Sequence, residues 1–166
     1  VSITDYDTSC GSDVAIPSII NNRVVVEIGD WAFNNSNLTS VYIPSVVTTI
    51  GKYAFQDNQL TSIKIPEGVT TIGVLAFRGN QLTSVVIPDS VAIIESNAFS
   101  GCSGLISVII PNNVTTIGDW AFEKCHSLER ILIPNSITHI GEYAFSGCTS
   151  LQSVEIPGRI LTIREH

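Results

Sequence analysis

Residues 38–58 read Leu38-Thr39-Ser40-Val41-Tyr42-Ile43-Pro44-Ser45-Val46-Val47-Thr48-Thr49-Ile50-Gly51-Lys52-Tyr53-Ala54-Phe55-Gln56-Asp57-Asn58. Val41 and Ile43 fall on one face of a short strand and Tyr42 on the other, and Pro44, with no N–H to give a ladder, ends it. The β-branched run from Val47 to Gly51 reads as a second, minor strand. The same text returns along the chain. Ile-Pro starts at 16, 43, 65, 87, 110, 133 and 156, and Ala-Phe at 32, 54, 76, 98, 121 and 144, a period of 22 or 23 residues after a first Ile-Pro step of 27. A strand this short cannot bury its apolar face alone, so successive units must stack. Stacking at the parallel-strand spacing of about 4.8 Å makes Leu38, Leu60, Leu82, Leu105, Leu128 and Leu151 one buried column. Val47, Ile50, Ala54 and Phe55, with their equivalents, supply the rest of each coil's core.

The expected fold is therefore an α/β-class solenoid, mostly β, with one parallel main-sheet strand per repeat and a short helical or 3₁₀ turn on the outer face through Ala-Phe. Parallel crossovers are right-handed in nearly all cases, which sets the expected hand of the coil. The whole chain, 1–166, reads as one domain: an N-terminal coil with the first Ala-Phe unit (1–37), the repeats (38–150) and an incomplete last coil (151–166). Two columns refine the unit. Gly29, Gly51, Gly73, Gly118 and Gly141 suggest a corner that needs positive φ, with Glu95 as the exception. Ser36, Asn58, Asn80, Cys102, Cys125 and Cys148 occupy an inward turn position, where a side chain must satisfy loop carbonyls of the next coil. Coils of 22 residues carry Ser or Asn there and coils of 23 carry Cys, so the extra residue is expected to reshape that turn.

The three sub-motifs L-x-x-V-x-I-P, I-G-x-x-A-F and the Asn/Cys turn recur in register, and together they resemble the BspA-like class of leucine-rich repeats of bacterial surface proteins. Asp13 to Asn22, with five extra residues before Gly29, resembles that class's N-terminal coil; Glu95 and Arg164 depart from its glycine position. The resemblance implies a secreted or cell-surface module that binds proteins or other macromolecules, often within a longer chain.

Composition limits the alternatives. Hydrophobic residues make up 44% and charged residues 14% of the chain, against a usual charged share of roughly 25%, which excludes a disordered chain. A net charge of −7 repels phosphate backbones and anionic lipid surfaces, so nucleic acid is not an expected partner. No apolar run approaches the roughly 18 residues of a membrane span, so membrane insertion is not expected. The chain begins at Val1 and contains no Met, which points to processing or excision from something longer.

Neither a catalytic nor a metal centre is expected. Cys102, Cys125 and Cys148 point in parallel from successive coils, a geometry that disfavours disulfides and suits buried free thiols; Cys10 has no evident partner. No C-x₂-C pair exists for zinc. His126, His139 and His166 lack a nucleophile, carboxylate or cysteine partner at motif spacing, and no phosphate- or dinucleotide-binding signature is present, so no cofactor is expected. An aromatic column (Trp31, Tyr53, Leu75, Asn97, Trp120, Tyr143) leaves two readings open: packing over the outer turn, or contact with a glycan.

The informative variation lies on the main sheet. One outward row, Ser40, Ser62, Ser84, Ser107, Arg130 and Ser153, is nearly constant. The other, Ala15, Tyr42, Lys64, Val86, Ile109, Leu132 and Glu155, changes in every coil, as a tailored solenoid surface does. The candidate partner-binding residues are Tyr42, Lys64, Val86, Ile109, Arg130, Leu132 and Glu155. Val86, Ile109 and Leu132 form a small apolar patch ringed by Lys64, Arg130, Glu129 and Glu155. The leading expectation is a non-enzymatic, adhesin-like or interaction module for a protein or other macromolecule, such as a host or matrix protein. The alternative is a structural spacer or targeting domain of a larger secreted enzyme or surface protein. The half-covered last coil also raises the expectation of end-to-end self-association or of a further segment.

Overall fold

The repeat text builds a solenoid. A computed structural model describes residues 1–5, 11–156, 158 and 162–163. Cys10 and the Arg164–His166 end, on which expectations were placed, lie outside those residues. Strands of three residues, Asp13–Ala15, Ser40–Tyr42, Ser84–Val86, Ser107–Ile109 and Arg130–Leu132, with Val154–Glu155 after them, make the main sheet. Two-residue strands make the minor sheet: Ser2–Ile3, Glu27–Ile28, Thr49–Ile50, Thr71–Ile72, Ile93–Ile94, Thr116–Ile117, His139–Ile140 and Thr162–Ile163. All pairings between coils are parallel and in register, Ile109 opposite Val86 and Leu132 opposite Glu155 among them. The predicted alternation holds: Ile43 is buried while Tyr42 is exposed. Leu38, Leu60, Leu82, Leu105 and Leu128 are fully buried, and Leu151 on the last described coil is half-buried.

Beside the leucine column runs a spine of phenylalanine rings. Phe33, Phe55, Phe77, Phe99, Phe122 and Phe145 stack with centroids 5.2 to 5.8 Å apart and planes nearly parallel. That spacing is close to one coil's rise, so the rings repeat with the backbone that carries them.

The expected helical element is absent: among the described residues the Ala-Phe arc forms turns, with no helix. In the first arc, the amide of Ala32 bonds to the carbonyl of Gly29 (3.3 Å) and that of Asn34 to Trp31 (3.0 Å). Between them Trp31 stands at φ 64°, as do its equivalents Tyr53, Leu75, Asn97, Trp120 and Tyr143 at 53 to 60°. A positive φ at the third residue of Gly29–Ala32 matches the type II turn and breaks the run of negative φ that any right-handed helix requires.

The glycine column is explained differently from the sequence expectation. None of Gly29, Gly51, Gly73, Gly118 or Gly141 has positive φ. These glycines are needed for close approach: a Cβ on Gly51 would sit 2.6 Å from the amide nitrogen of Asp30 in the preceding coil. The position that favours glycine by φ comes two residues after Phe, where Gly79, Gly101 and Gly147 lie at 71 to 73°.

Glu95 shows what a side chain costs in the close-approach column. The amides of Gly51, Gly73, Gly118 and Gly141 each bond to the isoleucine carbonyl of the coil before, at 2.7 to 2.9 Å. Among the described residues the amide of Glu95 makes no such bond, and Thr71–Ile72 is not paired with Ile93–Ile94. The minor sheet thus consists of two four-stranded sections. The main sheet divides in the same region, because Ser62–Lys64 forms no strand. The two halves remain joined by the leucine core, the Phe77–Phe99 stack and the arc bonds Leu75 to Ser96 and Phe77 to Ala98.

The N-terminal coil accounts for its five extra residues with a hairpin. Ile19–Ile20 pairs antiparallel with Arg23–Val24, and Asn21 and Asn22 between them both have positive φ (49° and 60°). This is the two-residue turn of type I′, which asparagine tolerates.

Candidate binding surface

The inward turn column shows why coil length selects its residue. Asn58 accepts through Oδ1 from the amides of Ser36 (3.1 Å) and Leu38 (2.9 Å), and its Nδ2 donates to the carbonyls of Phe33 (2.7 Å) and Phe55 (3.0 Å). Asn80 repeats this with Leu60, Phe55 and Phe77. The thiols of Cys102, Cys125 and Cys148 donate to Phe77, Phe99 and Phe122, at 3.2 to 3.4 Å, and their sulfurs meet the backbone amides of Asn80, Cys102 and Cys125 in the preceding coil. The carbonyls served across coils belong to the preceding coil, where the sequence reading had placed them in the next. In a 23-residue coil the extra residue closes a backbone turn, and the amides of Leu105, Leu128 and Leu151 bond to the carbonyls of Cys102, Cys125 and Cys148 at 3.0 Å. The leucine amide then needs no acceptor from the side chain, and a thiol suffices. All three cysteines are free; Cys102 and Cys125 are buried and Cys148 is half-buried. Burial pushes the Cys102 thiol up to about 12 and raises Cys125 and Cys148 as well, which makes them poor nucleophiles.

His126 and His139 are exposed, and the His139 ring meets Thr138 Oγ1 through Nδ1 at 2.8 Å. Among the described residues no group of three or more His, Cys, Asp or Glu is placed to hold a metal ion. The aromatic column does stack where expected, Trp31 on Tyr53 at 3.7 Å and Trp120 on Tyr143 at 5.7 Å. The rings cover one another's faces, and Leu75 and Asn97 separate the two pairs.

On the main sheet, the variable row points outward. Leu132 is 74% exposed, Ile109 62%, Tyr42 62% and Val86 55%; Lys64, Arg130 and Glu155 are exposed too. Side chains one coil apart on paired strands lie side by side, so Val86, Ile109 and Leu132 form one ridge. That ridge borders a groove of about 760 Å³, whose lining also holds Glu155, Ile156 and Pro111. The structure therefore brings four of the seven candidates together: Val86, Ile109, Leu132 and Glu155. Arg130 lines a separate, smaller recess with Glu129, Gln152 and Ser153. Tyr42 and Lys64 lie on the same face toward the N-terminal coils and line none of the grooves described.

The rest of the polar lining of the groove escaped the sequence reading. It is Glu67, Asp89, Asn112 and Asn135, each the second residue after the isoleucine of Ile-Pro in its coil. Their common register was visible in the sequence; their sharing one groove with the apolar ridge was not, because the backbone turns after proline.

The fold and the repeat register agree with known proteins. A leucine-rich repeat protein from Bacteroides ovatus has a crystal structure that superposes with a TM-score of 0.75 at 32% identity, over 96% of this chain and 48% of that one. A leucine rich cell surface protein from Faecalibacterium prausnitzii gives 0.60 at 28%, over 87% and 47%. The T. pallidum leucine rich repeat protein gives 0.55 at 31%, over 94% and 63%. This chain spans about half the length of the first two. No curated protein sequence matches it significantly. The sequence pattern of the BspA type leucine rich repeat region matches residues 8–92 and 75–166, six copies in all. With its coils, columns and repeats all in that pattern, the chain belongs to the BspA-type leucine-rich repeat family.

Proposed function

We propose that this chain is a non-enzymatic binding module of a secreted or surface-displayed bacterial protein, and that it holds a macromolecular partner, a protein foremost, on the outward row of its main sheet. The observation that carries the reading is the contiguous exposure of Val86, Ile109 and Leu132 along a groove. Apolar side chains at the inward positions, most of them buried, make the fold; three more held outward in adjacent coils add nothing to that core, and an apolar centre with a charged rim is the anatomy of a contact site. Tyr42, Lys64, Arg130 and Glu155 extend the same face and supply its rim. The stacked inert thiols and the separated histidines favour binding over catalysis.

A second reading, a spacer or targeting domain in a longer chain, is favoured by the length of the similar proteins, about twice that of this chain. Binding of the immobilised chain to a panel of host and matrix proteins separates the two. The binding reading expects a partner whose capture is lost in Ile109→Glu/Leu132→Glu. Capture of the same partner by both forms, or capture of none, supports the spacer.

A further inference from the structure

The lining of the main-sheet groove has two chemistries, and together they specify an occupant. Part of it is the apolar ridge Val86, Ile109 and Leu132; the polar part runs, in coil order, through Glu67, Asp89, Asn112 and Asn135 to Glu155 in the last of these coils. No Lys, Arg or His lines the groove among the described residues. Its carboxylates are exposed and lie at the two ends, with carboxamides between them. Resting on the reading of this face as a binding surface, we propose that the groove takes an extended peptide segment lying along the solenoid axis, with a cationic side chain at each end and apolar side chains between.

The dimensions agree with that class of ligand. From the coil of Glu67 to the coil of Glu155 there are four coil steps, about 19 Å at the parallel-strand spacing, which an extended chain covers in about seven residues at roughly 3.3 Å each. Alternate residues of such a chain share a face. A cation at the first and seventh positions then reaches the terminal carboxylates while apolar residues at the third and fifth rest on the ridge. The carboxamides of Asn112 and Asn135 stand where the peptide's backbone N–H and C=O groups need partners, and each offers both a donor and an acceptor. Charge here selects and orients, and the apolar ridge holds.

Three labelled peptides test this by fluorescence anisotropy in low-salt buffer: Lys-Ser-Leu-Ser-Leu-Ser-Lys, the same peptide with Glu at both ends, and the same with Ser at both ends. The Lys-ended peptide is expected to bind at least about tenfold more tightly than the Glu-ended one, with the advantage shrinking as salt screens it. The variant Glu67→Gln/Asp89→Asn/Glu155→Gln is expected to erase that preference while its affinity for the Ser-ended peptide stays unchanged. Equal binding of all three peptides overturns the inference, as does a preference that survives in the triple variant. If no peptide binds, yet a protein partner is lost in Ile109→Glu/Leu132→Glu, the inference falls and the binding face stands. If that variant keeps its protein partner, the reading of the face itself fails.

Discussion

At the scale of single residues, the Asn/Cys column is the most instructive position. Asn80 makes buried bonds to Leu60, Phe55 and Phe77, so Asn80→Ala strands the Leu60 amide, while the Phe55 and Phe77 carbonyls keep their bonds from Asn58 and Cys102. A buried amide left without an acceptor costs about 1 to 3 kcal/mol, so urea unfolding should show a loss in that range. Cys102 sits at the change of coil length. The amide of Leu82 has no acceptor among the described residues, because Leu82 belongs to a 22-residue coil but faces a thiol where Leu38 and Leu60 face asparagine. Cys102→Asn supplies that acceptor and is expected to leave stability equal or higher. Cys125→Asn is expected to lower it, since Leu105 is already bonded to Cys102. The thiols also impose a pH dependence. Raised in the fold toward about 12 from an ordinary value near 9, Cys102 favours the folded chain fully below pH 9. Above it the unfolded chain loses its proton first, so stability falls as pH rises, by up to about 1.4 kcal/mol per pH unit. The wild-type midpoint should therefore drop relative to Cys102→Ser between pH 9 and 11.

Individual elements were legible in the sequence where burial repeats and hidden where backbone geometry decides. The leucine, isoleucine and phenylalanine columns could be read because each must be apolar to stack on its own image. The Ala-Phe arc could not: positive φ at Trp31, Tyr53 and Leu75 leaves no glycine signature, and these bulky residues look like ordinary helix or strand members. The glycine column was visible but misread, since close approach and positive φ both select glycine. Glu95 was recognised as an exception, yet its consequence, two separated minor-sheet sections, depends on distances of a few tenths of an ångström. Restoring glycine tests that account. Glu95→Gly is expected to slow amide exchange at residues 92–95 toward the rates of 115–118; unchanged exchange would mean that the seam has another cause.

For the whole molecule, sequence variation and sheet geometry divide the labour. Inward positions repeat and build a core that continues through all coils, and outward positions on the main sheet vary without disturbing it. The face was therefore legible as a row before the structure, while the groove was not, because its polar lining lies beyond the proline turn. The proposed function requires that partners meet the main sheet. Hydroxyl-radical footprinting of the chain with a bound partner tests it most directly. Protection concentrated at Val86, Ile109 and Leu132, with Trp31 and Tyr53 as reactive as in the free chain, is the predicted result; protection of Trp31 and Tyr53 with an unprotected main-sheet row would contradict it.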